Sequence, residues 1–191
     1  MSDEIKQVVL SGRQIRVLAH PLRARLLGQL RLDGPATATK LAEALGTNTG
    51  ATSYHLRQLA DAGLVFEEAG AGHGRERWWR AAHDVSSWQR DAFAGDPDAT
   101  AAADWLASHQ ASVFADRYAA WQRAVPAEPP EWRAAAMFSD YILTLDAAGL
   151  DALLAELDAV VERHRAAQRP GPDARQVLLY VAGLPRTEEP G

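Results

Sequence analysis

The sequence predicts a mostly α-helical protein with a small amount of β-structure. Three observations lead to this fold class. Apolar residues recur at helical spacing across residues 13–64 and again across residues 99–161. Two short strand-like runs within residues 65–81 flank a glycine-rich loop. The chain is 191 residues long, which gives room for one or two domains, each with a proper core.

The N-terminal part of the chain is predicted to contain two helices. Residues 1–17 form an amphipathic N-terminal helix, which is interrupted at His20-Pro21. Proline is tolerated in the first turn of a helix, so the second helix starts near Pro21. It carries leucines at helical spacing as far as Leu30 and is ended by Asp33-Gly34-Pro35.

Residues 36–64 predict two short helices around a break at Gly46-Thr47. Asn48 is a good N-cap for the second helix, since its side chain can accept a hydrogen bond from an unpaired backbone N–H. Gly63 follows as the residue that lets the chain turn out of that helix. One face of the helix is suited to the core, because Thr52, Leu56 and Leu59 recur at helical spacing. The pattern predicts a helix-turn-helix.

The opposite face of the 48–62 helix is small, polar and carries one cation. Such a face suits a helix that lies in the major groove of DNA. Arg57 can donate two hydrogen bonds to guanine, and the helix N-terminus at Thr49 and Gly50 favours a phosphate. His55 lies between this face and the core, where packing against an earlier helix is the simpler interpretation. The DNA-binding candidates on this helix are Asn48, Thr49, Gly50, Ser53, Tyr54, His55 and Arg57.

A β-wing is predicted directly after the second helix of this pair. Residues 65–69 and 75–81 are its strands, and residues 70–74 form a glycine-rich hairpin loop. A glycine-rich tip can approach a DNA backbone closely, and arginines beside it suit phosphate or minor-groove contacts. The candidates in the wing are His73, Arg75 and Arg77.

Charge is distributed unevenly along the chain, although the net charge of −5 taken alone argues against nucleic acid. Residues 13–80 hold ten Lys and Arg against six Asp and Glu, whereas residues 81–191 hold nine against seventeen. A basic first part joined to an acidic second part is expected when only the first part touches phosphates.

Several classes of protein are disfavoured by composition and spacing. The chain has no cysteine, which excludes disulfides, thiolate metal sites and cysteine nucleophiles. Neither His109 nor His164 has a second histidine at metal-ligand spacing, so we expect no metal and no cofactor. No catalytic constellation and no phosphate-binding glycine loop between a strand and a helix is found, so we expect no enzyme. The absence of a signal peptide and of a membrane-length apolar run predicts a cytoplasmic protein with no membrane partner.

The motifs of residues 13–83 resemble those of the ArsR-type winged helix-turn-helix transcriptional regulators. The resemblance rests on residues 18–27 (Leu-Ala-His-Pro-Leu-Arg-Ala-Arg-Leu-Leu), 41–43, 53–59 (Ser-Tyr-His-Leu-Arg-Gln-Leu) and 62–65. It implies a dimeric DNA-binding regulator, with a repressor as the expectation. Metal-sensing members use a cysteine pair before the recognition helix, or His and Asp ligands on the terminal helices, and this chain lacks the cysteine pair.

The remainder of the chain extends beyond the part that carries this resemblance. A short helix is predicted over residues 84–93 and a long one over residues 99–125. A strand over residues 138–145, an amphipathic helix capped by Asp146, and a buried strand over residues 176–184 follow. We therefore expect a winged helix-turn-helix domain at residues 1–83. A helical or α+β region for dimerisation or effector binding should occupy residues 84–191.

Aromatic residues are concentrated between positions 85 and 145. Such a set usually forms core and dimer interface, and the N-terminal helix and the 99–125 helix are the expected dimerisation elements. The aromatics could instead line a pocket for a small apolar effector. The residues in question are Trp105, Phe114, Tyr118, Trp121, Phe138 and Tyr141.

The sequence thus predicts a homodimeric regulator that binds a palindromic, double-stranded DNA operator and is released by a small effector. A winged-helix protein-interaction module without DNA binding is the alternative.

Overall fold

The computed structural model describes residues 6–68, 76–168 and 171–187, and its contacts divide the chain into two compact units. One unit ends at Val113 and the other begins at Phe114. The boundary predicted after residue 83 lies inside the first unit, and the assignment of domains to residues 1–83 and 84–191 stays a prediction. The elements are β1 (Gln7–Val9), α1 (Gly12–Leu18), α2 (Pro21–Asp33), β2 (Ala36–Thr37), α3 (Ala38–Leu45), α4 (Thr49–Asp61), β3 (Val65–Glu68), β4 (Trp78–Ala81), β5 (Val85–Ser87), α5 (Pro97–Ala124), α6 (Pro130–Ala135) and α7 (Ala147–Ala166).

The predicted fold class, mostly α with a little β, is confirmed. In the first unit a helix-turn-helix, α3 and α4, is followed by the antiparallel pair β3 and β4, in which Phe66 lies opposite Arg80. The two-residue strand β2 was not predicted; it adds to the other edge of β4, so that the sheet order is β2-β4-β3. Two residues are too few for a period of two to show in the sequence.

Local contacts fix three helix ends that the sequence predicts, namely the starts of α2 and α4 and the end of α3. The Asn48 side-chain oxygen accepts a hydrogen bond from the Ala51 N–H at 2.8 Å and caps α4. At the start of α2, the His20 ring nitrogen Nδ1 accepts from the Leu22 N–H at 3.2 Å. Gly46 ends α3 with a φ of 64°, a left-handed conformation that glycine adopts without steric cost.

The core of the first unit is formed by one apolar face of each helix. Thr52, Leu56 and Leu59 of α4 are fully buried, as the sequence predicts. Burying each large apolar side chain stabilises the fold by about 1.5–3 kcal/mol, so a displaced helix would lose several of these contributions. The core continues beyond the wing into Phe93 and into the first turns of α5, through Ala99, Ala102, Ala103 and Leu106.

Two predicted helices near the sheet β1-β5 are wrong in part. Residues 7–9 of the predicted N-terminal helix form strand β1, and α1 begins only at Gly12, with a capping box between Ser11 and Gln14. The predicted helix over residues 84–93 contains strand β5 and a 3₁₀ turn at Arg90–Phe93. β1 and β5 pair in parallel although they lie far apart in the chain, and local periodicity cannot report such a pairing.

A buried polar cluster links α2 to β5. The Arg31 guanidinium donates through Nη2 to Ser86 Oγ at 2.6 Å and through Nε to the His83 carbonyl oxygen at 3.1 Å. His83 Nε2 lies 2.8 Å from the same hydroxyl. Burial lowers the pKa of His83 to about 4, and the Arg31 charge adds to this effect while Asp84 opposes it. His83 is therefore neutral in the folded protein near pH 7, and its unprotonated ring nitrogen can accept from Ser86.

In the C-terminal unit the helices are confirmed and the strands are not. The Asp146 carboxylate accepts from the Gly149 N–H at 2.7 Å and caps α7, as predicted. Within the described residues, residues 138–145 and 176–184 belong to no helix and to no strand ladder, and most of their apolar side chains are exposed. The prediction of a strand and of a buried strand is wrong because a strand also needs a partner edge.

No helix within the described ranges is both long enough and apolar enough to cross a membrane.

Candidate nucleic-acid interface

Helix α4 presents a polar face to the surface, opposite the residues that it buries. Thr49, Gly50 and Arg57 are exposed, Ser53 is half-buried, and the Tyr54 side chain is 52% exposed. The buried face holds the helix against the core, so the polar face is displayed on a rigid element. A displayed helix face of this kind is the geometry that reads base edges in a major groove.

The first turn of α4 is arranged around its N-cap. The side-chain oxygen of Asn48 accepts a hydrogen bond from the Ala51 N–H. Asn48 therefore has a structural role in addition to the predicted binding role. A Cβ on Gly50 would lie 3.3 Å from the same oxygen. Glycine at this position therefore leaves space for the cap as well as for a close approach of a phosphate to the helix N-terminus.

A pocket of about 320 Å³ lies beside the polar face of α4. Arg57 and Ser53 line it from α4, and Arg77 and Glu76 line it from the chain just before β4. Thr37, Ala38 and Thr39, at the junction of β2 and α3, also line it, together with Trp79 of β4. The structure thus brings together two arginines and three hydroxyl-bearing side chains from three separate segments.

The charges of this pocket favour an anion but are partly compensated. Arg77 pairs with Glu67 at 3.1 Å across the wing, and Glu76 lies in the pocket lining. Arg57 makes no ion pair within the described residues. Exposed pairs such as Arg77–Glu67 contribute little to stability, so Arg77 can exchange this partner for a phosphate at small cost.

Residues at the start of α3 were not among the sequence candidates, although one signal was present. The Thr37 hydroxyl accepts from the Lys40 N–H at 3.3 Å, which makes Thr37 the N-cap of α3. A threonine just before a run with apolar residues at helical spacing is a recognisable N-cap signal. Lys40 itself lies over the Trp78 ring, with Nζ 4.6 Å from the ring centroid. That cation–π contact holds a third positive charge near the wing.

His55 packs against an earlier helix, in line with the simpler interpretation of the sequence. Its ring centroid lies 4.4 Å from that of His20 and 5.1 Å from that of Tyr54. Burial lowers the pKa of His55, and the neighbouring His20 and Arg23 lower it further. Within the described residues its Nδ1 atom has no hydrogen-bond partner, and no three His, Asp or Glu side chains converge as metal ligands would.

The structure places the remaining DNA-binding candidates in two groups. Arg77 lines the pocket together with Ser53 and Arg57. The hairpin loop at 70–74, with His73, lies outside the described residues, and so does Arg75.

The candidate effector residues are only partly brought together. Phe114, Tyr118 and Phe138 form a ring cluster, with centroids 5.0–6.4 Å apart, and Tyr180 joins it at 4.8 Å from Phe114. Trp105 instead stacks on His109 at 4.9 Å. Tyr141 is largely exposed, and Trp121 is partly buried. Tyr180 was missed by the sequence reasoning because it belongs to the segment that was predicted to be a buried strand.

Comparison with known proteins matches the same part of the chain. Residues 18–66 match the family model described as a helix-turn-helix domain. The HTH-type transcriptional regulator NmtR of Mycobacterium tuberculosis is 47% identical over 51 residues, which are 27% of this chain and 42% of that protein. The match therefore spans less than half the length of this relative.

Two solved structures are among those similar to this chain. One, named "Possible transcriptional regulator for arsenical resistance", is 32% identical, with 56% of this chain and 93% of that chain covered at a TM-score of 0.32. ZitR of Lactococcus lactis in complex with DNA is 17% identical, with 82% and 76% covered at a TM-score of 0.27.

The sequence matches and the arrangement of α3, α4 and the β3-β4 wing agree. The resemblance to ArsR-type regulators is confirmed over residues 18–66, which form a helix-turn-helix domain of the winged type.

Proposed function

We propose that this chain is a sequence-specific DNA-binding transcriptional regulator. As a homodimer it binds a palindromic operator, with α4 in the major groove and the wing on the flanking backbone. Repression is the expected outcome of operator binding. The helix-turn-helix match over residues 18–66 and the 47% identity of a 51-residue stretch to a transcriptional regulator support the class of function.

The observation that carries the proposal is the pocket beside α4. Two guanidinium groups, Arg57 and Arg77, and the hydroxyls of Thr39 and Ser53 line one concave surface next to the exposed Tyr54. Guanidinium and hydroxyl groups are donors to phosphate oxygens and to guanine. Tyr and Arg also anchor protein–protein interfaces, so a binding experiment has to separate the two functions.

The decisive experiment is a mobility-shift titration of the full chain against its own upstream region. We expect a specific shift whose dissociation constant rises steeply between about 50 mM and about 200 mM salt, because bound phosphates release counterions. An unrelated duplex of equal length is the control. The absence of a salt-sensitive shift on any duplex would favour the alternative, an interaction module without DNA affinity.

The geometry of the operator can be tested by recovering preferred duplexes from a random pool. A symmetric dimer should select an inverted repeat whose half-site centres lie about 34–36 Å apart, one helical turn of DNA. Recovery of a single, non-repeated site would contradict the palindrome while leaving DNA binding intact.

Release by a small apolar effector is the regulatory part of the proposal. It is supported by the ring cluster of Phe114, Tyr118 and Phe138, since aromatic rings line many small-molecule sites. A panel of apolar compounds, screened by thermal shift and then added to the protein–DNA complex, tests it. The expected hit raises the melting temperature and releases the duplex, and a Phe114→Ala variant should lose both responses. A panel without such a hit would count against an effector of this class.

A further inference from the structure

The C-terminal unit lacks a core of its own within the described residues. The buried apolar residues of the chain extend from Leu10 to Leu106, and none lies in the unit that begins at Phe114. Helix α7 has an apolar stripe but buries none of its residues, and Leu157 and Val160 are each 38% exposed. A unit of this size needs buried apolar area to offset the conformational entropy of folding.

Two stretches outside the helices carry most of the exposed large apolar side chains of this unit. We call residues 137–145 and 177–184 the apolar segments. Ile142 is 96% exposed and Leu184 is 85% exposed. Within the described residues, no backbone hydrogen bond joins one apolar segment to the other. Both contain β-branched and aromatic residues that favour strands, yet neither pairs with a strand in the part of the chain that the structure describes.

We propose that the apolar segments pair with those of a second copy of this chain and form the dimer interface. Their composition points away from a charged partner, because Asp140 is the only charged residue in the two segments. Nucleic acid or a charged peptide would need basic or acidic side chains there. A second copy brings the same unpaired edges and the same apolar side chains, and a two-fold arrangement satisfies both copies at once.

The exposed area is of the size that a stable dimer needs. Twelve large apolar side chains of the apolar segments are exposed. At roughly 60–120 Å² for a fully exposed side chain, their exposed fractions amount to roughly 500–900 Å² per copy. A specific interface of standard size buries about 800 Å² per partner.

Helix α1, one of the two elements expected to mediate dimerisation, offers less apolar surface than the apolar segments. Ile15 and Leu18 of α1 are already buried in the core of their own unit. The inference rests on the homodimer of the proposed function but assigns its interface to the C-terminal unit. DNA binding and dimerisation can therefore be measured, and can fail, separately.

The test is sedimentation equilibrium of the full chain and three variants. Ile142→Asp and Leu179→Asp place a charge within the apolar segments, and Val9→Asp places the same charge at an exposed apolar position outside them. We expect a wild-type dimer, at least a tenfold weaker dimer for each of the first two variants, and no change for Val9→Asp. An unchanged helical circular-dichroism signal of the full chain, which includes helix α7 of the C-terminal unit, would show that the variants still fold.

Hydrogen exchange of the wild-type chain provides the second measurement. Amides of the apolar segments should be protected in the dimer and should lose this protection in Ile142→Asp. A monomeric wild-type chain, a dimer that neither variant weakens, or a dimer whose apolar segments exchange freely would each overturn the proposal. A mobility shift retained by the weakened dimers on a single half-site would leave the DNA-binding proposal standing.

Discussion

Arg57 shows how far reasoning from single residues can go. Its place on the exposed face of α4 follows from helical spacing with the buried Leu56 and Leu59. The residues around Arg57 could not be predicted in this way, because Arg77 and Thr39 reach the same pocket from other segments of the chain. Asn48 is the contrasting case, since a cap involves only the next few residues and was predicted correctly.

Replacing Arg57 by alanine should weaken operator binding by about 1–3 kcal/mol, or roughly 5- to 150-fold, if the guanidinium contacts a base. Arg57→Lys should recover part of the charge effect but not the base preference, because lysine cannot donate in the bidentate manner of arginine. Arg123→Ala, which removes the same charge from the last turn of α5, is the matched control. Wild-type affinity in Arg57→Ala would exclude this role.

His83 should make the stability of the protein depend on pH. The unfolded chain takes up a proton at the ordinary histidine pKa of about 6.5, whereas the folded chain does so only near 4. The unfolded state therefore binds more protons between these values, and stability falls as the pH falls through that window. We expect a loss on the order of 2–3 kcal/mol, measured by urea unfolding between pH 7 and pH 4.

His83→Asn should flatten this part of the stability profile, at the cost of a lower stability at pH 7. His164→Gln replaces an exposed histidine of α7 and should leave the profile unchanged. If His83→Asn keeps the wild-type slope between pH 6.5 and pH 4, the neutral buried histidine is not its cause.

At the scale of elements, the turn between α3 and α4 depends on one glycine. Gly46 has a φ of 64°, whereas Gly28 lies inside α2 with no atom within 4 Å of the position of a Cβ. Gly46→Ala should therefore destabilise the protein by about 1 kcal/mol, while Gly28→Ala should stabilise it by a similar amount. Urea unfolding of both variants at one pH gives the comparison. Equal effects of the two substitutions would contradict the conformational argument.

The elements that the sequence predicted well are those specified by nearby residues. Helices α2, α3, α4, α5 and α7 have caps or breakers at their ends and apolar residues at helical spacing. The strands β1 and β5 were not predicted, because each forms only by pairing with the other. Most of the sequence of the first unit lies between them. The apolar segments have the composition of strands, but they pair with no strand among residues 6–68, 76–168 and 171–187.

At the scale of the whole molecule, the extent of the first unit can be measured with fragments. Its core includes Phe93 and four residues of α5, so a fragment of residues 1–113 should unfold cooperatively. A fragment of residues 1–83 loses these contacts and should be less stable by at least about 3 kcal/mol, the usual cost of removing a large buried aromatic side chain. Equal stability of the two fragments in urea would instead support the boundary predicted after residue 83.

The amino-acid pattern was sufficient to predict the helix-turn-helix, the Asn48 cap, the wing strands and the polar face of α4, because each depends on residues within a few turns of one another. It could not predict which distant residues share the pocket with Arg57, that α5 completes the core, or that β1 pairs with β5. Packing and strand pairing join residues far apart in the chain, and no local pattern records such contacts.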